Sequence, residues 1–127
     1  MGTGSGYQAA VLSQLVPEVY SIERIEPLLI NAAARLDRLG IENVRLIHGD
    51  GNAGLPEFAP YDGILVTAAP EGIPTALIQQ LKVGGRLVIP VGGRQGQSLL
   101  RITRMLNDTV TEVFDAVVFV PMLDGVR

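Results

Sequence analysis

Residues Gly2-Thr3-Gly4-Ser5-Gly6 place a glycine at every second position just ahead of a helix-forming run. Glycine accepts positive φ and lets a ligand approach the backbone without a Cβ in the way. The helix start that follows offers N–H groups with no intrahelical acceptor. Such a loop suits a nucleotide-like ligand. The dinucleotide fingerprint G-x-G-x-x-G would need its third glycine where Tyr7 stands, which disfavours a nicotinamide or flavin oxidoreductase. A glycine-rich tight turn with no ligand is the other reading, and the loop alone does not decide between them.

Two acids follow at telling places. Glu23 lies 17 residues beyond Gly6 and directly after the apolar run Val19-Tyr20-Ser21-Ile22. An acid about 20 residues past such a loop, at the tip of the second strand, is where a ribose is gripped. A solvated strand-end glutamate beside Arg24 and Glu26 is the plainer alternative. Asp50 stands in His48-Gly49-Asp50-Gly51, after the next apolar run. There it suits an adenine amino group, or an Asx turn that shapes the loop. His48, the single histidine, has no carboxylate partner visible in the sequence and reads as structural. Ala68-Ala69-Pro70 end a further apolar strand, and small residues there would leave room for a ligand.

The elements that position these residues alternate. Residues 5–16 predict a helix stopped by Pro17. A strand is expected over 19–22. A second helix then accepts Pro27 in its first turn, carries Ile25, Leu28, Leu29, Ala32, Leu36 and Leu39 at helical spacing, and ends at Gly40. Strands are expected at 44–47 and 63–67, the latter buried on both faces as a parallel strand is. A loop, with room for a helical turn, separates them. A short helix over 74–81, a Gly84-Gly85 turn and a strand at 87–89 come next. Residues 98–106 and 110–120 read as two strands joined at Asn107-Asp108. The pattern is α/β: a mostly parallel sheet carrying a C-terminal antiparallel hairpin. The two acids and the glycine loop then share the carboxyl edge of the sheet, where ligands bind in open α/β folds.

Composition bounds the reading. A chain of 127 residues, 47% apolar, is about one domain with a packed core, 1–127. Its net charge of −3 disfavours general nucleic-acid binding. With no cysteine there is no disulfide, thiolate metal site or cysteine nucleophile, which fits a cytoplasmic protein. No apolar run approaches the ~18 residues of a membrane span.

Together these residues resemble the S-adenosylmethionine-dependent methyltransferases, and among them the protein-L-isoaspartate O-methyltransferase family. The resemblance rests on Gly2-Thr3-Gly4-Ser5-Gly6-Tyr7-Gln8, Tyr20-Ser21-Ile22-Glu23-Arg24, His48-Gly49-Asp50-Gly51, Tyr61-Asp62 and Val66-Thr67-Ala68-Ala69-Pro70. It continues through Ile73-Pro74, Gly84-Gly85, Leu87-Val88, Pro90-Val91-Gly92 and Phe119-Val120-Pro121-Met122-Leu123. It implies a Rossmann-like sheet of strand order 3-2-1-4-5-7-6 and S-adenosylmethionine as cofactor. Gly2, Thr3, Gly4, Ser5 and Gly6 would lie against the methionine part, Glu23 would hold the ribose and Asp50 the adenine. Arg24 and Gly51 would also bind the donor, and Ala68, Ala69 and Pro70 would face the acceptor. That acceptor is implied to be the carboxylate of an isoaspartyl residue in a damaged protein. No metal and no specific catalytic residue is implied. Against the family pattern the chain reads as N-terminally truncated, with the first, central strand missing. The strands at 19–22 and 63–67 would then pair directly, accept a strand from another copy in a homo-oligomer, or leave a marginal fragment. The rival from another class is a non-catalytic nucleotide-binding or oligomeric interaction module.

Overall fold

The computed structural model describes residues 1–126. The chain divides into two compact units, one of Met1–Gly51 with the chain end from Gly125, the other of Asn52–Asp124.

The first unit contains α1 (Tyr7–Ser13), β1 (Val19–Glu23), α2 (Glu26–Arg38) and β2 (Val44–His48). Helix α1 is shorter than the expected 5–16. Gly6, at φ 87°, is in the left-handed region and cannot be a helical residue, so the helix opens at Tyr7. At the other end the turns tighten, with Gln14 N donating to Val11 O and Leu15 N to Leu12 O. The Asn43 side-chain amide then takes up the carbonyls of Ser13 and Val16.

Helix α2 ends in a Schellman motif. Gly40 has φ 69°, its N–H donates to Asp37 O, and the Ile41 N–H donates to Leu36 O. Of its apolar positions only Ala32 and Leu36 are buried, while Leu28 and Leu39 are exposed. Those two lie on one flank of the apolar stripe, turned away from the strands it covers. Strands β1 and β2 pair in parallel, Val19 opposite Val44 and Glu23 opposite His48. Buried Ala9, Val19, Ile22, Ala32 and Leu36 form the core of this unit.

The second unit contains β3 (Tyr61–Leu65), α3 (Thr75–Gln79), β4 (Leu81–Gly93), β5 (Gly96–Arg104) and β6 (Thr109–Val117). Their sheet runs β3-β4-β5-β6. Strand β3 pairs with β4 in parallel, and β4, β5 and β6 are antiparallel in succession. The antiparallel part is thus larger than an edge hairpin. Its order also corrects the last two positions of 3-2-1-4-5-7-6. Gly93 is opposite Gly96, so only Arg94 and Gln95 join β4 to β5. A connection that short makes β5 the immediate neighbour of β4 and leaves no chain to pass beyond another strand.

Gly84-Gly85 does not end an element, as expected, but lies within β4. The register passes from Tyr61 opposite Leu81 to Gly63 opposite Arg86, so the extra β4 residues form a bulge. Gly84 has φ 84° there. A Cβ on Gly85 would stand 2.9 Å from Lys82 O and 3.0 Å from Tyr61 O, which only glycine avoids. Strand β3 is not buried on both faces, since Asp62 and Gly63 are exposed at the end of the sheet. The core of this unit is Val66, Leu77, Leu81, Leu87, Ile89 and Ile102. Among the described residues β1 pairs with β2 in the first unit, and β3 pairs with β4 in the second. No described helix is long and apolar enough to cross a membrane.

Candidate functional site

The glycine loop is laid along the end of β1 residue by residue. Gly2 N and Thr3 N both donate to Ile22 O, at 2.9 and 3.2 Å. The hydroxyls of Thr3 and Ser21 are 2.6 Å apart, both residues buried. Gly4 N donates to Glu23 Oε1 at 2.9 Å. Gly6 N closes the turn on Thr3 O at 2.9 Å. Gly2, Gly4 and Gly6 all have positive φ, which is why this path needs glycine at alternate positions.

Two of these glycines do different work. A Cβ on Gly4 would meet nothing nearer than Gly2 O at 3.9 Å, so that face of the loop is open to close approach. A Cβ on Gly6 would meet the Ala32 Cβ at 3.3 Å, so Gly6 lets α2 pack against the loop. Ser5 is exposed, and its carbonyl accepts from the Arg35 guanidinium at 3.1 Å.

Glu23 is 6% exposed, an unusual place for a carboxylate. Its two oxygens are each held by a backbone donor, Oε1 by Gly4 N and Oε2 by Ile25 N at 3.0 Å. Hydrogen bonds from N–H to an ionised carboxylate are strong and offset its burial. Each oxygen retains acceptor capacity, because a carboxylate offers about four lone-pair sites. Thus the residue links the loop, β1 and the start of α2, and can still accept two hydroxyl protons. The donor set expected for a ribose is therefore compatible with this arrangement.

Strand β2 brings the next cluster alongside. Gly49 N donates to Glu23 O at 3.1 Å, and His48 Nε2 is 2.9 Å from Arg24 O. His48 thus ties the ends of the two strands together, the structural role expected of it. Asp50 follows at the same carboxyl edge, with Oδ2 accepting from Gly125 N at 3.1 Å. Gly51 opens a 3₁₀ turn, Gly51–Ala53. The Arg24 side chain brings a buried Nε with no hydrogen-bond partner.

Ala68, Ala69 and Pro70 belong to the second unit. Ala69 is buried and bonded on both sides of its backbone, its N–H to Val120 O at 2.7 Å and its carbonyl from Met122 N at 3.0 Å. Pro70 is also buried, and its carbonyl accepts from Gly92 N at 2.9 Å. Gln97 holds the same closing segment by a side-chain imitation of a strand pair, Nε2 to Phe119 O and Oε1 from Phe119 N. Sequence reasoning missed Ser21 and the Ile25 N–H. The signal for Ser21 was present: a hydroxyl in the buried run of β1 requires a partner.

A sequence profile of the protein-L-isoaspartate(D-aspartate) O-methyltransferase family matches residues 1–127. The chain belongs to that family. A protein-L-isoaspartate O-methyltransferase of Halorhodospira halophila is 56% identical over 125 residues, covering 98% of this chain and 57% of the relative. One from Cellvibrio japonicus is 54% identical over 128 residues, with the same coverage of 98% and 57%. This family member therefore spans a little over half the length of the curated relatives it matches. A solved protein-L-isoaspartate O-methyltransferase superposes with a TM-score of 0.89 at 35% identity, over 94% of this chain and 39% of that one. A Plasmodium falciparum protein assigned to the same activity, in complex with S-adenosyl-L-homocysteine, gives 0.79 at 27% identity, over 96% and 63%. The fold is thus the Rossmann-like methyltransferase fold, with parallel and antiparallel strands.

Proposed function

We propose that this family member binds S-adenosylmethionine at the glycine loop and takes part in methyl transfer to the carboxylate of isoaspartyl residues in damaged proteins. Family membership supports the reaction class. The observation that carries the donor site is the buried Glu23 carboxylate, held by Gly4 N and Ile25 N with acceptor capacity to spare. In this reading Glu23 receives the ribose hydroxyls, the Gly4 face of the loop lies against the methionine part, and Asp50 receives the adenine amino group. Arg24 and Gly51 flank that pocket. Ala68, Ala69 and Pro70, in the second unit, are proposed to serve the acceptor on the strength of the family resemblance alone.

The donor, when bound, supplies an electrophilic sulfonium methyl. The acceptor carboxylate has a reference pKa near 4 and is already ionised at pH 7, so no general base is required of the chain. Rate then comes from alignment, with reacting atoms ~3–3.5 Å apart. The chain's own contribution is to hold the donor still. The proposed setting is the cytoplasm, with damaged proteins as partners. Self-association is also proposed, because β1 and β3 each end a sheet and a strand from a second copy would extend either one.

Calorimetry with S-adenosylhomocysteine and a labelled-methyl assay on an isoaspartyl peptide test the proposal. Binding with methyl transfer is expected. Binding without transfer would reduce the function to a nucleotide-binding module, and absence of both would overturn it. Light scattering reads the self-association.

A further inference from the structure

We propose that Thr3 and Ser21 form a hydroxyl clasp that sets the shape of the glycine loop, making Thr3 a positioning residue rather than a contact to the donor. The inference deepens the donor-site reading above and rests on it for its functional consequence.

The loop 2–6 contains only two side chains, Thr3 and Ser5. Ser5 is exposed, whereas Thr3 is 7% exposed and turned onto β1. The three glycines around them have left-handed φ and the conformational freedom of glycine, so nothing in their own chemistry selects one loop path. Thr3 alone can supply that selection from a side chain inside the loop. Its hydroxyl meets the Ser21 hydroxyl at 2.6 Å, in a strand whose Val19 and Ile22 are core residues. Ser21 is itself 7% exposed, so each hydroxyl is the answer to the other's burial.

The clasp also fixes a register. Loop residues 2–4 are fastened to β1 residues 21–23 in order: Thr3 to Ser21 by hydroxyls, Gly2 and Thr3 to the Ile22 carbonyl, and Gly4 to the Glu23 carboxylate. Gly4 N is one residue from the clasp, and its bond occupies Oε1 of the acid that grips the ribose. Release of Thr3 therefore frees Gly4 and leaves Glu23 poorly oriented, although neither Thr3 nor Ser21 touches the donor.

The test uses the full chain and the variants Thr3→Val, Ser21→Ala, their double variant and Thr3→Ser. Amide hydrogen exchange reads the loop, calorimetry with S-adenosylhomocysteine reads the donor site, and urea unfolding reads the fold. Thr3→Val and Ser21→Ala are each expected to speed Gly4 exchange about tenfold without matching acceleration along the β1–β2 ladder. Donor affinity should fall roughly 3- to 10-fold in each, the yield of one neutral hydrogen bond. The double variant should be no weaker than the weaker single one, and Thr3→Ser should restore both readouts. Unchanged Gly4 exchange in Thr3→Val overturns the clasp. So does acceleration spread evenly over the chain in step with the unfolding midpoint, which marks a merely structural pair. If the parent chain takes up no S-adenosylhomocysteine, the donor-site reading fails, and the exchange arm still decides the clasp.

Discussion

Replacement of Glu23 by glutamine keeps the size of a buried side chain and removes its charge. In the parent, Oε1 and Oε2 each accept a backbone N–H, at 2.9 Å from Gly4 and 3.0 Å from Ile25. Hydrogen bonds to a charged acceptor contribute about 1.5–3 kcal/mol each, against about 1 for a neutral pair. Glutamine retains one oxygen, so one bond persists in weaker form. Its amide NH2 then faces the other backbone N–H, donor against donor, in a site with little water. The loss of stability should be about 2–4 kcal/mol. With a urea slope of about 2 kcal/mol/M, the midpoint falls by about 1–2 M. Far-UV circular dichroism against urea measures it. The same change should weaken S-adenosylhomocysteine about 10- to 150-fold by calorimetry, if the ribose is gripped through charge-assisted bonds. A glutamine variant with the parent's midpoint would refute the carboxylate's role as the link between loop, β1 and α2. A changed midpoint with unchanged affinity would remove Glu23 from the donor site and leave it structural.

Other perturbations have equally definite outcomes. Gly6→Ala meets both a φ of 87° and the Ala32 Cβ at 3.3 Å, and should cost about 1–3 kcal/mol by chemical unfolding. Gly92→Ala, at φ 144°, drives a methyl group onto the Gly96 backbone at the β4–β5 turn. It should lower thermal stability by a similar or larger amount, about 2 kcal/mol or more, measured by calorimetry.

Particular residues show why some of this was legible in the sequence. Gly2, Gly4 and Gly6 announced a left-handed turn because glycine adopts it without the steric cost that a Cβ imposes, and Glu23 stood out as an acid at the tip of an apolar strand. The elements around them followed from Pro17, Pro27, Gly40 and the helical spacing of Ala32 and Leu36. Other features were hidden by ambiguity of the same signals. Gly84-Gly85 serves a turn or a bulge equally well, and only the register against Tyr61 distinguishes them. Leu28 and Leu39 fit the period of α2, but a two-stranded sheet covers too narrow a stripe to bury them. Ser21 looked like an ordinary strand residue until Thr3 was placed beside it. Ala69 stood out for its small size, which carries no sign that its backbone is also joined to Val120 and Met122.

The donor site can be addressed most directly by recording backbone amide resonances while S-adenosylhomocysteine is added to the 127-residue chain. Saturable shifts are expected, centred on Gly4, Glu23 and Asp50, which lie on three adjacent stretches of backbone. Saturable shifts that spare all three, or no shifts at millimolar ligand, would contradict a donor site at the glycine loop.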